Sequence, residues 1–297
     1  MFLPENIDLA QSEKYILSIR LVPDGFSFCI FSPSDQSIFH YQKKAFSKNL
    51  SSIENIKKTF FEVNFFSQPF QRVLVTIVSP RYTIVPDIYF EKKRAKDIFE
   101  FNIHGRSGKV LNNYIAEGAC HVLFDLDEEV YSFLCRNLWN PSFFSCKALL
   151  LPFFTNYQAG NGRKRCFVNF HDEMISVTCF SGTQLLSANT YPDKEKYDAL
   201  FNIVNVWEKQ SLNQNSDLLI LLGNLPDYKE SIDTLKKLIK NVEPIKLTSE
   251  NENHIPTDIL LAFGVEQKEK NEESRVKSQE SRVKSQEPRQ KTKDIEL

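Results

Sequence analysis

The stretch "FVNFHDEMISVTCF", residues 167–180, decides the fold. Its apolar and polar residues alternate on both sides of a short polar run at 171–173, which is typical of two antiparallel strands joined by a tight turn. A second stretch of this kind, "ILSIRLVPDGFSFCIF", spans residues 16–31. There Pro23 presets φ for the turn and Gly25 can accept a positive φ. The sequence therefore predicts two β-hairpins about half a chain length apart.

Each hairpin begins the same order of predicted elements. A third strand, an amphipathic helix and a short apolar strand follow it, the last being "RVLVTIVSP" in the first half and "DLLILLG" in the second. Superposing Phe26 on Ile175 gives an offset of 149 residues, and the same offset matches Phe28 with Val177. This repeated β-β-β-α-β order indicates a structural duplication, and the alternative is a chance alignment of amphipathic patterns.

The repeated order divides the chain into three parts. We predict a first half over residues 1–158, a second half over 159–264 and a disordered charged tail over 265–297, where "ESRVKSQ" occurs twice in tandem. Between the two repeats, further α/β elements are expected to complete the first half. Among them, the apolar run "CKALLLPFF" at 146–154 is interpreted as a buried strand.

Composition narrows the class of protein. The 297 residues are 41% hydrophobic and carry a formal net charge of −1, so no overall field attracts nucleic acid or anionic lipid. No apolar run approaches the roughly 18 residues of a membrane span, and no signal peptide is visible at the start. No two of the six cysteines have C-x-x-C spacing. We expect a cytoplasmic protein with reduced thiols, no zinc site and no membrane partner.

The duplicated plan resembles the actin-like ATPase superfamily, which includes actin, the Hsp70 chaperones and sugar kinases. The resemblance implies an α/β fold of two ribonuclease H-like halves, with mixed sheets flanked by helices. In that superfamily each hairpin grips nucleotide phosphates, and a strand followed by Gly-Gly contacts the adenosine. The pattern also resembles a family of uncharacterised bacterial proteins assigned this fold, a domain of unknown function.

The second hairpin of the superfamily resembles V-V-D-x-G-G-G-T-T, in which the Asp binds metal through water and the glycines admit phosphate oxygens. Here Asn169 stands at the Asp position, and His171, Asp172 and Glu173 stand at the glycine positions. Carboxylates beside a triphosphate repel it by about 1 kcal/mol or more per close pair. In the first hairpin, Arg20 falls where the Asp would be. The resemblance thus implies degenerate phosphate loops.

Two further stretches support the fold more than the activity. "LLILLGNLP" resembles the adenosine strand and turn, with Gly223 at the first Gly position and Asn224 at the second. "PTDILLAFG" resembles the terminal helix, with Ala262 and Gly264 as its small residues. The candidate residues of a cleft between the halves are therefore Asp24, Gly25, Asn169, Asp172, Gly223 and Asn224.

Three other motifs have plainer interpretations. "GRSGKV" (105–110) fails the spacing of a phosphate-binding P-loop and is read as a turn. "GNGRKR" (160–165) is read as a solvated linker, with an anion or nucleic-acid contact as the alternative, although it has no interleaved aromatic residues. "FDLDEEV" (124–130) is read as an acidic helix start, with a divalent-metal site as the alternative. We therefore expect no metal and consider a nucleic-acid partner unlikely.

The sequence supports two hypotheses of function. In the first, a bacterial cytoplasmic protein of this fold has lost hydrolysis, needs no cofactor and acts as a binding or scaffold protein for an unknown protein partner. In the second, the protein is an active ATPase or small-molecule kinase with atypical phosphate loops, and ATP and Mg²⁺ bind in the cleft.

Overall fold

The computed structural model describes residues 3–4, 6–35, 37–157, 163–245 and 255–262. The predicted tail over 265–297 and Gly264 lie outside these residues, as do the junction at 158 and the glycines of "GNGRKR". The boundaries of the three predicted parts therefore stay predictions. Within the described ranges, no helix combines the length and the apolar character that crossing a membrane requires.

The described elements alternate between strands and helices. The strands are β1 (Ile16–Val22), β2 (Gly25–Phe31), β3 (Phe39–Ala45), β4 (Arg72–Ile77), β5 (Tyr82–Pro86), β6 (Lys109–Ile115), β7 (Cys120–Leu126), β8 (Pro141–Ser145), β9 (Lys164–His171), β10 (Met174–Ser181), β11 (Gln184–Pro192), β12 (Leu218–Gly223) and β13 (Asn241–Pro244). The α-helices are α1 (Ser52–Glu62), α2 (Ala95–Asn102), α3 (Glu128–Asn137), α4 (Cys146–Asn156), α5 (Asp198–Lys209), α6 (Lys229–Leu238) and α7 (257–262). Short 3₁₀ turns lie at Leu9–Lys14, Asp87–Tyr89, Lys92–Arg94, Ala116–Gly118 and Leu225–Tyr228.

Two five-stranded mixed sheets have the same topology. The first has the order β3-β2-β1-β4-β8 and the second the order β11-β10-β9-β12-β13. In both, the first three strands are antiparallel and the last two run parallel to the central strand. A third sheet, β5-β7-β6, is inserted between β4 and β8. The duplicated α/β architecture predicted from the sequence is confirmed.

The two hairpins also share their register. Val22 pairs with Gly25 in the first, and His171 pairs with Met174 in the second. Each turn therefore contains two residues, and the pairs are offset by the 149 residues read from the sequence. Gly25, however, does not adopt a positive φ. It begins β2, where an added Cβ would lie 3.2 Å from the Lys44 carbonyl oxygen, so close packing accounts for this glycine.

Apolar side chains hold the sheets and helices together. The largest core cluster fills the first half and extends onto one face of the second sheet, where it includes Phe167 and Ile220. The other face of the second sheet packs on α5 and α6 around Trp207. Helix α7 returns to the first sheet, where Ile259 packs against the face that carries Ile16. Helix α7 thus lies beside β1, the central strand of the first half.

One predicted strand is wrong. Residues 146–154 belong to helix α4, whose first turn is capped by the Ser145 side chain, and Pro152 lies inside that helix. The parallel strand expected here is the preceding segment, β8. A short run that is apolar at nearly every position does not distinguish a buried strand from a buried helix by its period, because nearly every face is apolar in both.

Candidate functional site

Two buried polar residues occupy equivalent positions in the two halves. Arg20 pairs with Ser27 on β1 and β2, and Asn169 pairs with Ser176 on β9 and β10, again 149 residues apart. Both side chains are buried to about 1% exposure. Burying a polar group is costly unless it is hydrogen-bonded. The hydrogen-bond partners of these two residues therefore identify the other members of the site.

The first two residues of α7 bind these equivalent positions. The Thr257 hydroxyl donates to Asn169 Oδ1 at 3.0 Å, and Arg20 Nε donates to Asp258 Oδ2 at 2.8 Å. Asp258 is itself 1% exposed. The start of α7 therefore ties the central strand of the first half to that of the second.

The second hairpin turn makes the remaining contact with Arg20. Arg20 Nη1 donates to Asp172 Oδ2 at 2.6 Å, and Lys43 Nζ donates to Asp172 Oδ1 at 2.8 Å. Asp172 and Glu173 have φ values of 44° and 55°, as a type I′ hairpin turn requires. This turn points the Asp172 carboxylate at β1 and β3 of the first sheet, so the tip of one hairpin is held by the opposite half.

The charges around this turn alter its titration. Although burial opposes ionisation of Asp172, the neighbouring Arg20 charge and the contact with Lys43 lower the pKa of the carboxyl to about 2. Burial and the nearby Arg20 and Lys147 charges lower the pKa of His171 to about 3. Asp172 is therefore ionised and His171 neutral at pH 7. The neutral imidazole Nε2 lies 3.0 Å from Ser176 Oγ, within hydrogen-bond distance.

Helix α4 adds a buried lysine to the polar cluster formed by Arg20, Asn169, Asp172, Thr257 and Asp258. Lys147 is 3% exposed, and its Nζ lies 5.3 Å from the centre of the Tyr82 ring. Burial lowers the pKa of Lys147 to about 8, while the Asp258 charge acts in the opposite direction. Among the described residues, Lys147 Nζ, Arg20 Nη2, Asn169 Nδ2 and Asp258 Oδ1 have no hydrogen-bond partner. The cluster therefore contains three donors and one acceptor that are not used by the described residues.

Gly223 and Asn224, at the end of β12, lie beside β9, the strand that carries Asn169. Gly223 has φ +87°, and a Cβ added there would lie 2.1 Å from the Phe170 carbonyl oxygen and 2.9 Å from Asn169 Oδ1. The Asn224 amide donates to the Phe170 carbonyl at 3.1 Å. A cavity of about 420 Å³ lies next to Gly223 and includes Thr257 in its lining. The structure thus brings together the candidates Asn169, Gly223 and Asn224.

Asp24 and Gly25 are placed elsewhere. The Asp24 carbonyl accepts from the Phe46 amide, and Gly25 pairs with Val22 and Ala45. Their neighbours Val22 and Pro23 line a separate cavity of about 890 Å³, whose described lining comes only from the first half and the inserted sheet. No described hydrogen bond or ion pair joins this turn to the second hairpin.

Residues of the three motifs outside the cluster make structural contacts, and in "GRSGKV" the Gly108 amide donates to Asp125 Oδ2 at 3.2 Å. Asp125 binds the Arg81 guanidinium at 2.8 Å, and Asp127 caps α3 by accepting from the amides of Glu129 and Val130. Lys164 Nζ donates to the Gln210 carbonyl at 2.9 Å. In the described ranges, no group of three or more His, Cys, Asp or Glu side chains is arranged to hold a metal ion.

Sequence reasoning did not identify Asp258, Thr257, Lys43 or Lys147 as site residues. Thr257 and Asp258 look like helix-start residues in "PTDILLAFG", and Lys43 looks like a charge on an edge strand. Lys147 could have been noticed as a single cation within the apolar run at 146–154, where an unexplained charge is rare.

Comparisons with known proteins support this architecture. The family described as "Protein of unknown function (DUF3822)" matches residues 4–242. A crystal structure from Bacteroides thetaiotaomicron, of a protein with an actin-like ATPase fold and unknown function, is 30% identical and superposes with a TM-score of 0.76, covering 87% of this chain and 98% of that one. The PilM–PilN type IV pilus biogenesis complex is 10% identical with a TM-score of 0.50, covering 84% and 97%, and shows the fold alone. No curated protein sequence matches the chain.

Proposed function

The chain belongs to the DUF3822 family of proteins of unknown function, and on that premise we propose that it is a non-hydrolysing actin-like protein. It acts in the bacterial cytoplasm as a binding or scaffold protein for a protein partner, without a nucleotide cofactor. The observation that carries this proposal is the ion pair from Arg20 to Asp172 across the two halves.

The chemistry of that contact supports the loss of nucleotide chemistry. In the superfamily that the chain resembles, the second hairpin turn closes on phosphate oxygens with its glycine amides. Here the corresponding turn presents the Asp172 carboxylate, which is ionised and paired with Arg20 and Lys43. A phosphate at this place would have to displace a carboxylate from two cations. It would also meet the negative charge of that carboxylate at close range.

The cluster also holds the halves together without a ligand. Arg20 is bonded to the second hairpin and to α7, and both carboxylates that it contacts are largely buried. A contact that needs no nucleotide suits a scaffold whose shape stays constant. In an ATPase of this fold, by contrast, the nucleotide itself would bridge the halves.

One observation favours the second candidate, an active ATPase or kinase. The cavity beside Gly223 has a volume of about 420 Å³, which is within the usual range for small-molecule sites. In addition, Arg20 Nη2 and Asn169 Nδ2 are buried donors without a described partner. An adenosine in the cavity with its phosphates turned towards these donors would use both features.

Titration of the purified full-length protein with labelled ATP and Mg²⁺ separates the two candidates. We expect no binding below about millimolar concentration, which corresponds to less than about 4 kcal/mol of binding free energy. A sugar kinase of the same fold, titrated in parallel, shows that the assay detects binding. Micromolar affinity with phosphate release would reject the proposed function and support the ATPase or kinase.

A further inference from the structure

A groove separates the edge of the second sheet from the inserted sheet. It is a cavity of about 740 Å³, bounded by β11 on one side, β5 on the other and the α4 residues Leu151 and Thr155. β11 and β5 are both edge strands of their sheets. The Tyr82 hydroxyl on β5 lies 3.4 Å from Thr190 Oγ1 on β11, so side chains of the two strands meet at that point.

The groove faces the edge of β11 rather than one of its faces. Every residue from 184 to 191 contributes to the lining. Successive side chains of a strand point to opposite faces of the sheet, so a cavity on one face would meet only alternate residues. Among the described strands, β11 pairs only with β10, and its outer edge retains backbone donors and acceptors.

The equivalent edge of the first half is protected, whereas this one is not. β3 carries Lys43 and Lys44, and charged residues on an edge strand discourage pairing with another chain. β11 and β5 contain no charged residue over their whole lengths. An edge strand without such protection, set inside a groove, is suited to pairing with another segment.

The lining also defines the chemistry of the occupant. Although a quarter of the chain's residues are charged, the described residues that line this groove include no Asp, Glu, Lys, Arg or His. Burying an unpaired charge there would be costly, so nucleotides and acidic or basic segments are disfavoured. Hydroxyl, amide and aliphatic groups of the lining suit an uncharged backbone with small or β-branched side chains.

We propose that β11 binds an extended, uncharged peptide segment of a partner protein by β-strand addition. The peptide pairs with the outer edge of β11, and its side chains contact β5 and α4. The five residues of β5 correspond to about 16 Å of extended chain, enough for four or five residues of peptide. This inference rests on the proposed function, binding without hydrolysis, and names its surface and the chemical class of its partner.

Selection of phage-displayed random decapeptides on the full-length protein tests the proposal. We expect the enriched sequences to be uncharged and rich in Val, Ile and Thr. In hydrogen–deuterium exchange, a synthetic peptide of enriched sequence should slow exchange at least tenfold within residues 184–192 and leave β3 unchanged. Failure to enrich any sequence, enrichment of charged peptides, or protection confined to other residues would overturn the proposal.

A matched pair of variants locates the binding. Asn189 is exposed and lines the groove, so Asn189→Lys places a charge there and should weaken peptide binding at least tenfold. Asn215→Lys makes the same change at an exposed loop position outside the groove and should leave the affinity within twofold. Equal effects would contradict the assignment. The nucleotide titration is independent, because ATP binding would reject the proposed function, whereas a failed selection would reject only this groove.

Discussion

The two β-hairpins have the same register and turn length, but their turns have opposite surroundings. The first turn, Pro23–Asp24, is exposed and has no residue with a positive φ. The second turn, Asp172–Glu173, adopts positive φ at both residues and places a carboxylate against Arg20 of the other half. The two turns therefore make different contacts although the backbone around them is duplicated. The side chains at equivalent positions decide which of the two turns contacts the opposite half.

The largest expected effect comes from the equivalent positions 20 and 169. Arg20→Ala leaves Asp258 buried without its ion-pair partner, and we expect it to lower the free energy of unfolding by about 3–5 kcal/mol. Asn169→Ala removes one hydrogen bond with Thr257 and should cost about 1–2 kcal/mol. Urea denaturation followed by circular dichroism measures both values.

Lys43→Ala serves as the control for this pair. Lys43 also contacts Asp172, but its side chain is 55% exposed, so we expect a loss below about 1 kcal/mol. If Arg20→Ala costs no more than Asn169→Ala, the ion pair does not distinguish the two halves.

Two glycines provide the second comparison. Gly223→Ala places a Cβ 2.1 Å from the Phe170 carbonyl at φ +87°, and we expect it to lower the free energy of unfolding by about 2–3 kcal/mol. Gly25→Ala meets its nearest atom at 3.2 Å with an ordinary strand φ and should cost less than about 1 kcal/mol. Thermal and chemical denaturation of both variants check the order. A larger loss at position 25 would contradict the backbone account of Gly223.

His171 in the second hairpin should make stability depend on pH. The pKa of His171 is about 3 in the folded protein, below the ordinary value of 6.5, so only the unfolded chain binds a proton there between these values. Stability is therefore lost as the pH falls below about 6.5, by about 1 kcal/mol between pH 7.5 and 5.5. Position 22, the equivalent in the first hairpin, is Val and does not titrate.

Denaturation of the wild type and of His171→Gln at both pH values isolates this contribution. Gln cannot take up a proton, so the variant should lose about 1 kcal/mol less than the wild type over this range. The pKa of Asp172, about 2, keeps its carboxylate charged throughout. Identical pH profiles would show that His171 is not the group responsible.

The smallest expected change in the free energy of unfolding comes from placing a glycine in each turn, and the change should have opposite signs in the two turns. Glu173→Gly relieves a left-handed residue at φ 55° and should raise the free energy of unfolding by about 0.5 kcal/mol. Asp24 is the equivalent residue of the first turn and has a negative φ, so Asp24→Gly should lower it by about 0.5–1 kcal/mol. Denaturation measures both changes. If the two substitutions changed the free energy of unfolding in the same direction, the two turns would be alike.

Much of the fold could be predicted because it depends on local pattern. Alternating apolar residues specified both hairpins, and the repeated β-β-β-α-β order specified the two equivalent sheets. The run at 146–154 was assigned to the wrong element because its apolar residues carry no period. For Gly25, the tight turn was predicted correctly but the positive φ was not, and the close approach of the Lys44 carbonyl oxygen at 3.2 Å is what limits the space for a Cβ there.

The sequence by itself determined the duplicated sheets, the two tight hairpin turns and the absence of glycines from the second turn. Tertiary structure alone decided that Arg20, Asp172 and Asp258, from distant parts of the chain, form one buried cluster. Strand patterns depend on neighbours two residues apart, and these can be read along the chain. Ion pairs between the halves depend on how two sheets and a helix pack, and no local period records that packing.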